Sequence, residues 1–139
     1  MLIGAKAALI RGPAGSGKSR LVWDLVSAAA QGALPFARLV GDDRVHVENR
    51  AGRLLVRPAQ ALAGMIEIHG LGIRRVAFEP MAVIGLVVDL AATDAGRYPE
   101  PEAAKSTISG ITLPRLAVAA GMGALPLVLA TLRTPPAGN

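Results

Sequence analysis

The 139-residue sequence has no cysteine, which excludes disulfides and thiolate metal sites. Aromatic residues make up only 3% of it, too few for a platform on which single-stranded nucleic acid could stack. Charged residues are also sparse, at 18%, and although the net charge is +5 no basic run is longer than Arg74-Arg75. A nucleic-acid partner is therefore not expected, and the basic excess suits nucleotide phosphates or an acidic protein surface. A membrane span is not expected either. The longest uncharged stretch, 17 residues from Leu116 to Leu132, contains Gly121, Gly123 and Pro126 and falls short of a spanning length. The run from Val76 to Thr93 is broken by Glu79 and Asp89, and the first residues lack an apolar region followed by a cleavage site. These absences together predict a cytoplasmic protein.

Apolar residues, by contrast, are plentiful, at 52%. The length suits a single domain, assigned to residues 1–134, with a disordered tail at 135–139. A domain this small has much surface per volume, so part of its apolar side-chain area is expected in an interface between copies.

Hydrophobic periodicity predicts an α/β fold. Lys6 to Arg11 reads as a buried strand, and Ser19 to Gln31 has helical spacing through Leu21, Val22, Leu25, Val26 and Ala29. Trp23 on that helix is assigned to core packing, and Gly32 followed by Pro35 is the stop. Ala37 to Val40 is a short strand. Val45 to Glu48 and Arg53 to Arg57 flank Asn49-Arg50-Ala51-Gly52 as a β-hairpin. Met65 to Ile68 alternates, and Val83 to Leu90 has the continuous apolar character of a central strand. Residues Thr93 to Ser109 read as loop, Ile111 to Ala119 as a strand despite Pro114, and Leu127 to Leu132 as a strand or a helix.

Between the first strand and the first helix lies GPAGSGKS, formed by Gly12, Pro13, Ala14, Gly15, Ser16, Gly17, Lys18 and Ser19. This is the full G-x-x-x-x-G-K-[ST] pattern. Its glycines let the backbone curl so that successive N–H groups point at phosphate oxygens, and the helix that follows adds the positive end of its dipole. Lys18 supplies a point charge for the outer phosphates, and the Ser19 hydroxyl is a ligand for Mg²⁺. The expected ligands are therefore ATP and Mg²⁺.

Phosphoryl transfer also needs a carboxylate near the metal and a group to orient the nucleophile. Two places offer one. Asp89 ends the apolar run GLVVD, the usual shape of a Walker B strand, and Asp42-Asp43 ends the run RLV in LVGDDRV. Neighbouring residues on an extended strand point to opposite sides, so both members of the pair can face one site only where the chain turns, which Gly41 allows. A metal ion would relieve their mutual repulsion. Pattern alone leaves both places open, along with a solvated turn for the pair and a strand end outside the site for Asp89.

Three blocks in this order, GPAGSGKS, LVGDDRV and EIHGLGI (Glu67 to Ile73), resemble the kinase domain of HPr kinase/phosphorylase over roughly residues 5 to 90. The resemblance implies a P-loop kinase core similar to that of phosphoenolpyruvate carboxykinase, with an additional β-hairpin, and assembly into homohexamers. It implies transfer of phosphate from ATP to a serine of the carrier protein HPr, and phosphorolysis in the reverse direction. Carried over by position, Lys18 and Ser19 bind phosphates and magnesium, Asp43 is the general base, Asp42 lies near the metal, Glu67 is a second metal-site acid, and Arg115 matches a late basic residue, which makes it a candidate phosphate or partner contact. The sequence looks like a short form without the family's N-terminal domain. It starts at Met1, after the place where the family has a histidine, and His69 stands where the family has arginine, so the reverse reaction is open. A small-molecule kinase and a nucleotide-sensing regulatory protein are the alternatives.

Among the remaining residues, His46 reads as an exposed hairpin residue, Arg74-Arg75 as a solvated pair or a partner contact, and Glu100 and Glu102 as a solvated loop.

Overall fold

The computed structural model describes residues 1–137, so the last two residues of the expected tail lie outside it. In chain order the elements are β1 (Leu2–Ile3), β2 (Lys6–Arg11), α1 (Lys18–Ala30), β3 (Ala37–Arg38), β4 (Val45–Arg50) and β5 (Arg53–Pro58). A turn of 3-10 helix follows at Gln60–Leu62, then β6 (Met65–Ile68), β7 (Gly72–Arg75), β8 (Ala82–Leu90), β9 (Lys105–Ile108), β10 (Ile111–Val118) and α2 (Ala124–Arg133).

The main sheet runs β3-β1-β2-β8-β10-β9, with the β4–β5 hairpin docked through β5 on the first residues of β8. β8 is the spine. It pairs in parallel with β2 on one side and with β10 on the other, so three strands end at the same edge of the sheet. Its burial explains its apolar run: Leu86, Val87, Val88 and Leu90 are all buried. Successive residues of β2 serve opposite faces. Ala8 joins Leu21, Leu25, Val88, Val118 and Val128 beneath the two helices. Ala7 joins Val40, Leu54, Val56 and Ile84 beneath the hairpin. Each fully buried leucine, such as Leu25 or Leu54, contributes about 1.5–3 kcal/mol by leaving water.

Helix α1 ends as its glycine predicts. Gly32 adopts φ +85°, its N–H reaches the Ala29 carbonyl at 3.1 Å, and the Ala33 N–H reaches the Ala28 carbonyl at 2.9 Å, a Schellman closure. The β4–β5 turn is tighter than the four residues expected. Only Ala51 and Gly52 lie in it, at φ +53° and +80°, the positive values that suit the twist of a two-residue hairpin.

Other expectations need correction. Trp23 is 43% exposed, because the buried stripe of α1 runs through Leu21, Val22, Leu25 and Ala28 and leaves position 23 facing outward. The loop-like stretch from Thr93 to Ser109 contains β9, which forms because the first half of β10 offers it an edge. The strand after Pro35 covers only Ala37–Arg38, with Leu39 held by a single bridge to Phe78. The C-terminal apolar segment is a helix and begins at Ala124. Pro114 is tolerated where β10 changes partners: Ile111–Pro114 pair with β9, and Arg115–Val118 pair with β8. Among the described residues no helix is long and apolar enough to cross a membrane.

Candidate functional site

The phosphate loop connects the C-terminal end of β2 to the first turn of α1. Gly15 and Gly17 take φ +79° and +95°, which side chains rarely permit, and Gly17 caps the helix without a side-chain bond. Gly12 has a different reason to be glycine. A Cβ there would lie 2.4 Å from Ser16 Oγ, a buried hydroxyl without a hydrogen-bond partner among the described residues. Lys18 Nζ folds back over the loop and donates to the carbonyls of Gly12 at 2.8 Å and Pro13 at 3.4 Å.

The three sequence blocks meet at Asp42. Ser19 Oγ donates to Asp42 Oδ1 at 2.7 Å, and the Glu67 backbone N–H donates to Asp42 Oδ2 at 3.1 Å. One carboxylate therefore ties the start of α1 to the β6–β7 hairpin. That hairpin is EIHGLGI itself: its turn is His69-Gly70-Leu71, and Gly70 and Gly72 adopt φ +91° and +87°. Asp43 is exposed and makes no side-chain hydrogen bond among the described residues. It lines a cavity of about 310 Å³ together with Arg11, Gly12, Lys18, Gly41 and Asp42. Gly41 is required by close approach. An added Cβ would meet Val45 Cγ1 at 2.6 Å and the Pro58 Cα at 3.3 Å.

A serine hydroxyl beside a carboxylate at a helix start is the hard-oxygen donor set that magnesium takes, the remaining positions going to phosphate oxygens and water. Among the described residues no three histidine or acidic side chains converge. The residues present fit Mg²⁺ in that role. The Glu67 side chain is exposed on β6, next to the bond its backbone makes with Asp42.

Asp89 has different neighbours. Arg11 Nε and Nη2 donate to its two oxygens at 2.7 and 2.8 Å, and Arg115 Nε donates to Oδ2. Arg11 lies directly beside it in the β2–β8 register, and Arg115 is two residues before its partner on β10, so all three side chains leave the same face. Arg115 also binds Asp94 through both terminal nitrogens, at 2.8 and 3.1 Å, and the Ala103 carbonyl at 2.9 Å. Arg11 reaches on to Ser106 at 3.2 Å. Burial works to raise the Asp89 pKa, but the hydrogen bonds from Arg11 and Arg115 outweigh it and hold the carboxyl below its ordinary value. The Arg115 hydrogen bond likewise lowers Asp94. The Walker B alternative thus meets a carboxylate already engaged by two guanidiniums, and Arg115 is engaged by two acids. Reading the sequence missed Arg11, Asp94 and Ser106. The only signal for Arg11 was a charge at the end of an apolar strand, immediately before the loop.

Phosphate loop, parallel central strands and docked hairpin define the class of fold: a mixed α/β fold built on a central sheet with a phosphate loop at its strand ends. The same fold is seen in the solved structure of the HPr(Ser) kinase/phosphatase from Coxiella burnetii. To it this chain is similar with a TM-score of 0.73 and 23% identity, over 94% of this chain and 83% of that one. At this identity the likeness is one of fold. No protein-family model matches the sequence, and no curated protein matches it.

Proposed function

We propose that the chain is a Mg²⁺- and ATP-dependent protein serine kinase acting on a small carrier protein of the HPr type. The observation that carries this reading is the Asp42 carboxylate, which joins Ser19 of the phosphate loop to the backbone of Glu67. A nucleotide-binding protein needs only the first of these. The solved enzyme of the same fold is named for action on HPr, which supports the choice of acceptor.

In this reading the loop N–H groups that follow Pro13 and the Lys18 ammonium hold the phosphates of ATP. Mg²⁺ would be held by Ser19 and Asp42, with Glu67 as a further acid, and supplies neutralisation of the charge on the transferring phosphoryl group. Asp43, open to the cavity, takes the proton of the acceptor serine as its oxygen attacks. Arg115 acts from outside the reacting atoms by fixing Asp89 and the segment through Ala103. Assembly into hexamers and phosphorolysis with inorganic phosphate belong to the same reading.

The test is incubation of the protein with an HPr-type carrier, Mg²⁺ and ATP labelled at the γ-phosphate. Label on a carrier serine is expected. Nucleotide binding without transfer to the carrier would sink the acceptor assignment. It would leave a small-molecule kinase if a metabolite is labelled, and a nucleotide-sensing regulatory protein if nothing is.

A further inference from the structure

Two arginines bind Asp89, and they are not equivalent. Arg115 is closed. Its side chain is 13% exposed, and Nε, Nη1 and Nη2 all donate, to Asp89, Asp94 and the Ala103 carbonyl. Arg11 is open, with a side chain 42% exposed. Its Nε and Nη2 reach Asp89, and Nη2 also reaches Ser106, which leaves Nη1 without a partner among the described residues. A guanidinium held on one side and open on the other is a donor fixed in place before any ligand arrives.

The strand aims it. Side chains alternate along β2, and Ala7 and Leu9 pack into the core beneath the β4–β5 hairpin. Arg11 is the next residue on that face. It lines the cavity of about 310 Å³ with Lys18, Asp42 and Asp43, and Leu9, Val45 and Val56 line the same cavity. Lys18 works at close quarters with it, since Lys18 Nζ lies 2.8 Å from the carbonyl of Gly12, the residue after Arg11.

We infer that Arg11 is a catalytic residue whose Nη1 meets an oxygen of the phosphoryl group in transit, and that Asp89 is the positioning residue that aims it. The inference rests on the proposed phosphoryl transfer. In that step the serine oxygen of the acceptor bonds to the γ-phosphorus of ATP. The bond from that phosphorus to the β–γ bridging oxygen breaks, its electron pair stays on ADP, and the serine proton passes to Asp43. Negative charge in the transition state is spread over the three equatorial oxygens of the transferring group. The loop N–H groups and Lys18 serve it from the nucleotide side, and Arg11 serves it from the cavity that Asp43 shares. ADP lacks the transferring group, so ADP binding does not depend on Arg11. The same reading gives the network its order: Arg115 fixes Asp89, and Asp89 fixes Arg11.

The experiment compares the wild type, Arg11→Gln and Asp89→Asn. It reads single-turnover transfer of labelled phosphate to an HPr-type carrier, ADP binding with Mg²⁺ by calorimetry, and stability by denaturant melts. Arg11→Gln should lower transfer about 10²–10³-fold, as loss of a preorganised donor does, with ADP affinity within about twofold of the wild type. Asp89→Asn keeps the guanidinium and should lower transfer less than about tenfold, yet it should cost more stability than Arg11→Gln, because it leaves two arginines without their anion. A structural role alone would make the transfer losses follow the stability losses. That order, transfer by Arg11→Gln within about fivefold of the wild type, or ADP binding weakened in parallel with transfer would each overturn the inference.

A second arm needs no carrier. Aluminium fluoride with ADP mimics the phosphoryl group in transit, and it should tighten ADP binding to the wild type at least about tenfold more than to Arg11→Gln. A wild type that binds ADP and labels no carrier would overturn the acceptor assignment, and this arm then decides on Arg11 by itself. No gain in the wild type, or an equal gain in both proteins, would overturn the role of Arg11.

Discussion

Asp42 and Asp89 look alike in the sequence and unlike in the structure. Each follows a short apolar run, and each ends at the same side of the sheet. Asp42 accepts from a hydroxyl and a peptide N–H, both neutral donors, and forms no ion pair among the described residues. Asp89 accepts from two guanidiniums, which have already answered it. A strand-end carboxylate is therefore defined less by the strand it ends than by what stands on the neighbouring strands. β2 and β10 bring arginines to Asp89, whereas the chain after β3 brings Asp42 to the start of α1.

The contrast is sharpest between chemistry and stability. Asp43→Asn should lower the rate of transfer to the carrier by about 10²–10⁴-fold, the usual contribution of a general base, with nucleotide affinity and melting temperature unchanged. Single-turnover transfer alongside a thermal melt checks both halves. Asp42→Asn should raise the Mg²⁺ concentration for half-maximal nucleotide binding about tenfold, since a charged donor set becomes a neutral one. Titrating Mg²⁺ at fixed ADP reads this directly.

Asp89→Asn should do the reverse, costing about 1–3 kcal/mol of stability by leaving Arg11 and Arg115 without their shared anion, while ADP binding persists. Its pH dependence follows from the lowered pKa. The stabilisation is complete above the ordinary value of 3.8 and is lost as pH falls through the lower native value, so the gap between wild type and variant closes only in acid. Denaturant melts at neutral pH and below pH 3.8 measure it. Asp94→Asn should have the smallest effect, a shift in the same direction but below that of Asp89→Asn, because Asp94 is exposed and Arg115 keeps Asp89. A loss of transfer in Asp89→Asn as deep as that in Asp43→Asn, without a change in stability, would reverse the assignment of the two acids.

The phosphate loop was legible because its pattern is a backbone requirement written in glycines at fixed spacing. β2, α1, the β4–β5 hairpin and β8 were legible because their apolar period matches their burial. β9 was not, because Lys105-Ser106-Thr107-Ile108 has little apolar content and owes its form to the edge that β10 presents. Trp23 misled through residue type, since its position on the helix already put it outside the buried stripe. Pattern alone could name the acid pair but not divide it, and only the resemblance gave Asp42 to the metal and Asp43 to the base. Which of Asp42 and Asp43 meets Ser19 is a matter of direction after a turn, and only three-dimensional geometry contains that.

Gly41 packs, without a side chain, against Val45 and Pro58 at the open end of the β4–β5 hairpin. The placement of the acid pair is thus borrowed from a hairpin that carries no chemistry of its own. A change in how that hairpin seats on β8, even at a residue as far from the phosphates as Val56, becomes a change in the aim of Asp42 and Asp43. The hairpin is in this sense the alignment bench of the site. Variants that tune transfer without touching a reacting group are to be sought along its underside.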